Sequence, residues 1–149
     1  FDSFEGFGDL KERDEHSFYA DENFSTNFMD VDKRVRRISK GVEYKLVQGF
    51  FEDSLKNGPD SYNISKSKII FIDSDTYSSA SEALLFCSKT IQEGTFIILD
   101  DYYSYKGSRN KGVARAFFEL IEQNRLDVRK VFTYGMGGAV FVVSDIQKN

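Results

Sequence analysis

Two acidic clusters carry the densest chemistry in this sequence. Asp73-Ser74-Asp75 follows Ile69-Ile70-Phe71-Ile72, and Asp100-Asp101 follows Phe96-Ile97-Ile98-Leu99. Short, unbroken apolar runs of this kind read as buried strands, so each cluster stands where a strand leaves the core. If the two strands are neighbours, their carboxylates converge at one sheet edge. Carboxylates held together repel and raise one another's pKa unless a cation neutralises them. A ligand set made of oxygen alone suits a hard cation such as Mg²⁺. One aspartate at a strand end commonly does no more than start a turn or cap the next helix. Two clusters after consecutive buried strands favour the metal reading over that one.

Other reactive side chains are few. The chain has one histidine, His16, and one cysteine, Cys87, too few for the nitrogen and sulfur sets that bind zinc. Cys87 falls in an apolar helical stripe and reads as an inert core thiol. His16 stands in a polar stretch and reads as solvated, with a base in a lid as the alternative. No Gly-x-Ser-x-Gly elbow supports a serine nucleophile. Gly135-Met136-Gly137-Gly138 lacks the Lys-Ser/Thr of a phosphate-binding loop and links two apolar runs, so it reads as a turn. Tyr102, Tyr103 and Tyr105 after the second acidic cluster either line a pocket or cover the sheet end. Arg34, Arg36 and Arg37 read as the solvated face of a helix, a phosphate groove being the alternative.

The elements that would position these groups follow from apolar periodicity. Residues 5–30 contain a polar, irregular loop or lid. Ser25 or Thr26 caps a helix to about Ser39, with Phe28, Val31, Val35 and Ile38 on one side and Gly41 as its stop. Val42–Gln48 reads as a strand, and 53–67 as a turn-rich connection around the one proline, Pro59. Lys68–Ile72 and Thr95–Leu99 are buried strands. Ser79-Ala80-Ser81-Glu82 has the capping-box pattern and opens a helix to about Thr90. Gly112–Gln123 is a helix. Val128–Tyr134 and Ala139–Ser144 form an antiparallel hairpin across the glycine-rich link. Alternation of strand and helix gives an α/β sheet, mostly parallel, with helices on both faces and the hairpin at its carboxyl end. Ligands bind outside the carboxyl ends of such strands, where Asp2, Gly49, Asp73 and Asp100-Asp101 fall.

The 149 residues suit one domain, and 40% hydrophobic content with 15% aromatics supplies a core, which argues against disorder. A net charge of −4 excludes the basic footprint of a nucleic-acid binder. No apolar run approaches the roughly 20 residues of a membrane span. The opening residues lack a signal-peptide pattern, and one cysteine fits a reducing compartment, so the expectation is a cytoplasmic protein with no membrane partner.

Taken together, these residues resemble the macrocin O-methyltransferase family, class I S-adenosylmethionine-dependent enzymes with a Rossmann-like sheet. The blocks that carry the resemblance are Phe1-Asp2-Ser3-Phe4-Glu5-Gly6-Phe7, Gly49-Phe50-Phe51-Glu52-Asp53-Ser54-Leu55, Ile72-Asp73-Ser74-Asp75-Thr76-Tyr77 and Gly94-Thr95-Phe96-Ile97-Ile98-Leu99-Asp100-Asp101-Tyr102. The stretches Gly107–Phe117 and Tyr134–Val143 also fit, and the order of the blocks is the family's. The resemblance implies that Asp2 holds the cofactor ribose and that Phe50, Phe51 and Glu52 lie beside the adenine. It implies that Asp73, Asp100 and Asp101 bind Mg²⁺, with Asp73 and Asp75 as the catalytic carboxylates. It further implies a small-molecule acceptor, a sugar hydroxyl in family members of known activity. The family places a first strand and a glycine-rich cofactor loop before the Phe1–Phe7 block. The chain therefore looks like a partial methyltransferase-like domain spanning 1–149, expected to bind S-adenosylmethionine poorly by itself. Its unpaired strand edges would favour a homo-oligomer.

Two rivals stand beside this reading. Asp73-Ser74-Asp75 after a buried strand also resembles the first motif of haloacid dehalogenase-type phosphatases, but Tyr77 stands where that motif has Thr or Val. Nor does the single strand-helix-strand unit between the clusters leave room for that family's middle motifs. The other rival is a non-catalytic, Rossmann-like remnant or binding module.

Overall fold

A computed structural model of the chain describes residues 1–8, 10–14, 16 and 24–147. The chain forms two compact units, Phe1–Lys56 and Asn57–Asn149. The stretch read as a loop or lid over 5–30 lies partly outside the described residues. Those described within it include a single 3-10 turn at Glu12–Asp14 and the start of a helix at Phe28. Among the described residues, no helix is long and apolar enough to cross a membrane.

In the first unit, Asp2 pairs with Gln48 as an isolated parallel bridge, and Glu5 with Ser25 as an antiparallel one. Helix α1 (Phe28–Ile38) is capped by Asn27, whose side chain accepts from the Asp30 N–H, rather than by Ser25 or Thr26. None of its residues is fully buried. Phe28 meets Phe4 edge-on with ring centroids 5.1 Å apart, while Ile38 is exposed. Arg34, Arg36 and Arg37 are exposed as expected. Val42–Gln48 is not a strand: beyond Gln48 opposite Asp2, none of its residues pairs with another strand among the described residues. Val42 and Tyr44 stand exposed instead, because extended sequence without a partner forms no ladder. A short helix α2 (Phe51–Ser54) follows.

The second unit contains a four-stranded open sheet. Its strands are β1 (Ile69–Ile72), β2 (Phe96–Leu99), β3 (Leu126–Tyr134) and β4 (Gly138–Ile146), in the order β1-β2-β4-β3. β1 and β2 are parallel, β4 is antiparallel to β2, and β3 is antiparallel to β4. The sheet is thus a mixed α/β sheet with the expected terminal hairpin. Its parallel share is smaller than the sequence suggested, because β4 inserts between β2 and β3.

Helix α3 (Tyr77–Ser88) starts two residues before the expected capping box. Thr76, not Ser79, is the cap, its hydroxyl accepting from the Ser79 N–H. Helix α4 (Gly112–Asn124) packs against α3, so both lie on one face of the sheet. The reason is topological. β3 runs parallel to β2, as β2 does to β1, and both connections advance the same way across the sheet. Crossovers of one hand then place their helices on the same side. That side holds the core: Ile70, Ile72, Ile97, Leu99, Leu84 and Phe117 are buried. Ile69, Phe71 and Phe96 alternate with these along β1 and β2 and are exposed.

Candidate metal centre and cofactor residues

The register of β1 against β2 brings the two acidic clusters together. Ile72 pairs with Leu99, and the Asp100 N–H donates to the Ile72 carbonyl at 3.0 Å. Asp73 and Asp100 therefore leave neighbouring parallel strands at the same end. One carboxylate oxygen from each of Asp73, Asp100 and Asp101 lies within 4.8 Å of the other two. Asp73 is exposed, and Asp100 and Asp101 are half-buried. Asp75 turns back toward the cluster in the left-handed region, at φ 55°, a conformation that aspartate tolerates better than most residues. Burial, then the negative charges of Asp101, Asp73 and Asp100, push its carboxyl up to about 7. All four carboxylates thus share one field.

Two hydroxyls donate to the cluster. Tyr134 Oη donates to Asp100 Oδ1 at 2.7 Å, and Ser104 Oγ donates to Asp101 Oδ1 at 2.8 Å. Between Asp73 and Asp75, the buried Ser74 Oγ has no hydrogen-bond partner among the described residues. Among the described residues the donor set consists of carboxylate oxygens, and these negative charges stand close together. Both features fit Mg²⁺, which takes oxygen ligands and relieves such repulsion.

The residues expected to face the cofactor are joined within the first unit. The Asp2 N–H donates to the Val47 carbonyl at 3.1 Å, and the Gly49 N–H donates to the Asp2 carbonyl at 3.0 Å. This sets Asp2 beside the turn that carries Phe50, Phe51 and Glu52. Asp2 is exposed, and its Oδ1 accepts the Phe4 N–H at 2.6 Å. Phe50 caps α2 and Phe51 opens it; both are half-buried, whereas Glu52 is exposed. Gly8 lies so close to Phe50 that an added Cβ would come within 3.0 Å of the ring.

Residues 1–127 match the macrocin-O-methyltransferase (TylF) family. The chain belongs to this family. No curated protein sequence matches it. Several solved structures share its fold. The O-methyltransferase NovP is 20% identical with a TM-score of 0.70, over 97% of this chain and 58% of its own. A structure of CalS11, a calicheamicin methyltransferase, is 14% identical with a TM-score of 0.68, over 96% of this chain and 58% of its own. An apo structure of CalS11, described as a TDP-rhamnose 3'-O-methyltransferase, is 14% identical with a TM-score of 0.51, over 67% of this chain and 41% of its own. The chain spans 58% of the length of NovP and of the first CalS11 structure.

Membership of the macrocin O-methyltransferase family displaces the dehalogenase-type reading. The remaining candidates resolve one by one. Burial pushes the Cys87 thiol up to about 11, as suits an inert side chain. His16 is half-buried rather than solvated. Of the tyrosines, Tyr102 joins a core cluster, with its ring 5.2 Å from Phe141 and 6.2 Å from Phe117, so it covers the sheet end. Tyr134 and Ser104 escaped the sequence reading. For Tyr134 the available signal was a polar aromatic at the carboxyl end of a strand, the same end at which the aspartates gather.

Proposed function

We propose that the whole protein is an S-adenosylmethionine-dependent, Mg²⁺-assisted O-methyltransferase acting on a hydroxyl of a sugar or another small molecule. One observation carries the proposal: Asp73, Asp100 and Asp101 offer converging oxygen ligands where adjacent parallel strands end, in a chain of this family. CalS11, a structural relative, is described as acting on TDP-rhamnose, which supports a sugar-type acceptor.

In this reading Asp73, Asp100 and Asp101 hold the cation. When bound, Mg²⁺ supplies the positive charge that lowers the pKa of the acceptor hydroxyl. Asp75 stands beside these ligands and takes the hydroxyl proton. When bound, S-adenosylmethionine would supply the methyl group: the acceptor oxygen would bond the methyl carbon as the carbon–sulfur bond breaks, with S-adenosylhomocysteine as the leaving product. Holding the oxygen in line with the methyl group supplies much of the acceleration. Asp2 holds the ribose hydroxyls, and the Phe50–Glu52 turn flanks the adenine.

Crystals grown with saturating Mn²⁺, an anomalous scatterer standing in for Mg²⁺, test the metal assignment. The proposal expects one peak bounded by carboxylate oxygens of Asp73, Asp100 and Asp101. A peak elsewhere, or none at these three side chains, would contradict it.

A further inference from the structure

The glycine-rich link of the hairpin does more than reverse the chain. Tyr134 is the last residue of β3 and pairs across the hairpin with Gly138. Gly138 is buried, and a methyl group on it would overlap the Tyr134 ring. The ring therefore rests on bare backbone, a seat that any larger residue would fill. The neighbouring Gly137 docks the link onto the acidic segment. Its carbonyl accepts the Tyr103 N–H at 2.9 Å, and a Cβ there would come within 3.2 Å of the Asp100 carbonyl oxygen. From this seat the Tyr134 hydroxyl reaches Asp100 Oδ1 at 2.7 Å.

We propose that Tyr134 is a positioning residue for the metal centre: seated on Gly138, its hydroxyl fixes the Asp100 carboxylate in the orientation that binds the cation. The inference rests on the metal assignment above and extends it to the hairpin. The physical need is plain. The terminal torsion of an aspartate is broad, so an untethered carboxylate samples many rotations and must give them up on binding. A phenol O–H on one oxygen makes that selection in advance. Hydrogen bonds of this kind to metal ligands typically account for 10- to 100-fold in metal affinity. Ser104 gives Asp101 a corresponding tether, but from within the same loop. The Tyr134 bond instead spans 34 residues and ties the hairpin to the site.

The test is Mn²⁺ titration of the full chain, with free ion read by electron paramagnetic resonance. Tyr134→Phe keeps the ring on its seat and deletes only the hydroxyl. It should weaken Mn²⁺ binding by about 10-fold or more while the chain stays folded in chelator. Gly138→Ala, which displaces the ring, should weaken binding likewise. On an Asp100→Asn background, Tyr134→Phe should add little further loss, because the group it positions is already gone. The inference is overturned if Tyr134→Phe binds Mn²⁺ within about twofold of wild type, or if its loss adds in full to that of Asp100→Asn. A wild-type chain that takes up no Mn²⁺ at all would overturn the metal assignment, and this inference with it. A failure of the positioning role alone shows instead in a wild type that binds.

Discussion

Asp75 concentrates the electrostatic strain of the acidic cluster, and its titration gives that strain a measurable form. Its carboxyl is raised from 3.8 to about 7, by burial first and by Asp101, Asp73 and Asp100 next. In chelator, between those two values, the folded chain keeps a proton that the unfolded chain has lost. Stability rises with pH only where the unfolded state binds more protons; here the folded state does, so raising the pH through this window lowers stability. Asp75→Asn removes that part of the slope. The thermal midpoint of wild type in chelator should therefore fall relative to Asp75→Asn from about pH 4 to about pH 7, and Mg²⁺ should flatten the difference. Parallel curves for the two proteins would show that neither burial nor its neighbours raise the Asp75 carboxyl. The acidic clusters were legible in the sequence because each follows an apolar run, which marks a strand end. The left-handed turn at Asp75 and the reach of Tyr134 to Asp100 were not. Both depend on backbone direction and on residues far apart in the chain.

The two faces of β1 make the packing argument quantitative at the scale of the element. Ile72 is 5% exposed and Phe71 is 55% exposed, although they are adjacent. Truncating a buried isoleucine to alanine typically costs about 2–5 kcal/mol. Ile72→Ala should fall in that range. Phe71→Ala, with its ring largely in water already, should cost less despite removing more atoms. Urea unfolding of both variants checks this, and equal losses would mean that the exposed face is covered. Strands β1 and β2, helices α3 and α4 and the terminal hairpin were readable from apolar runs, helical spacing and the glycine-rich link. The Val42–Gln48 strand was not, since alternation cannot say whether a partner exists, and among the described residues only Gln48 finds one. That both helices lie on one face was hidden too. It depends on the direction in which the connections cross the sheet, which strand order alone decides.

The whole molecule joins a family assignment to a site. The macrocin O-methyltransferase family matches 1–127, and the fold is shared with NovP and CalS11 over nearly all of this chain. The central claim is that the carboxylates gathered by β1 and β2 serve methyl transfer through a divalent cation. Transfer of a labelled methyl group from S-adenosylmethionine to a sugar-nucleotide acceptor, assayed with the whole protein, tests it most directly. The account predicts transfer with Mg²⁺, loss in chelator and recovery when Mg²⁺ is restored. Asp100→Asn should reduce the rate about 100-fold or more, on the order of 3 kcal/mol of barrier, while the protein stays folded. Transfer that proceeds unchanged in chelator, or that survives Asp100→Asn at the wild-type rate, would contradict the account.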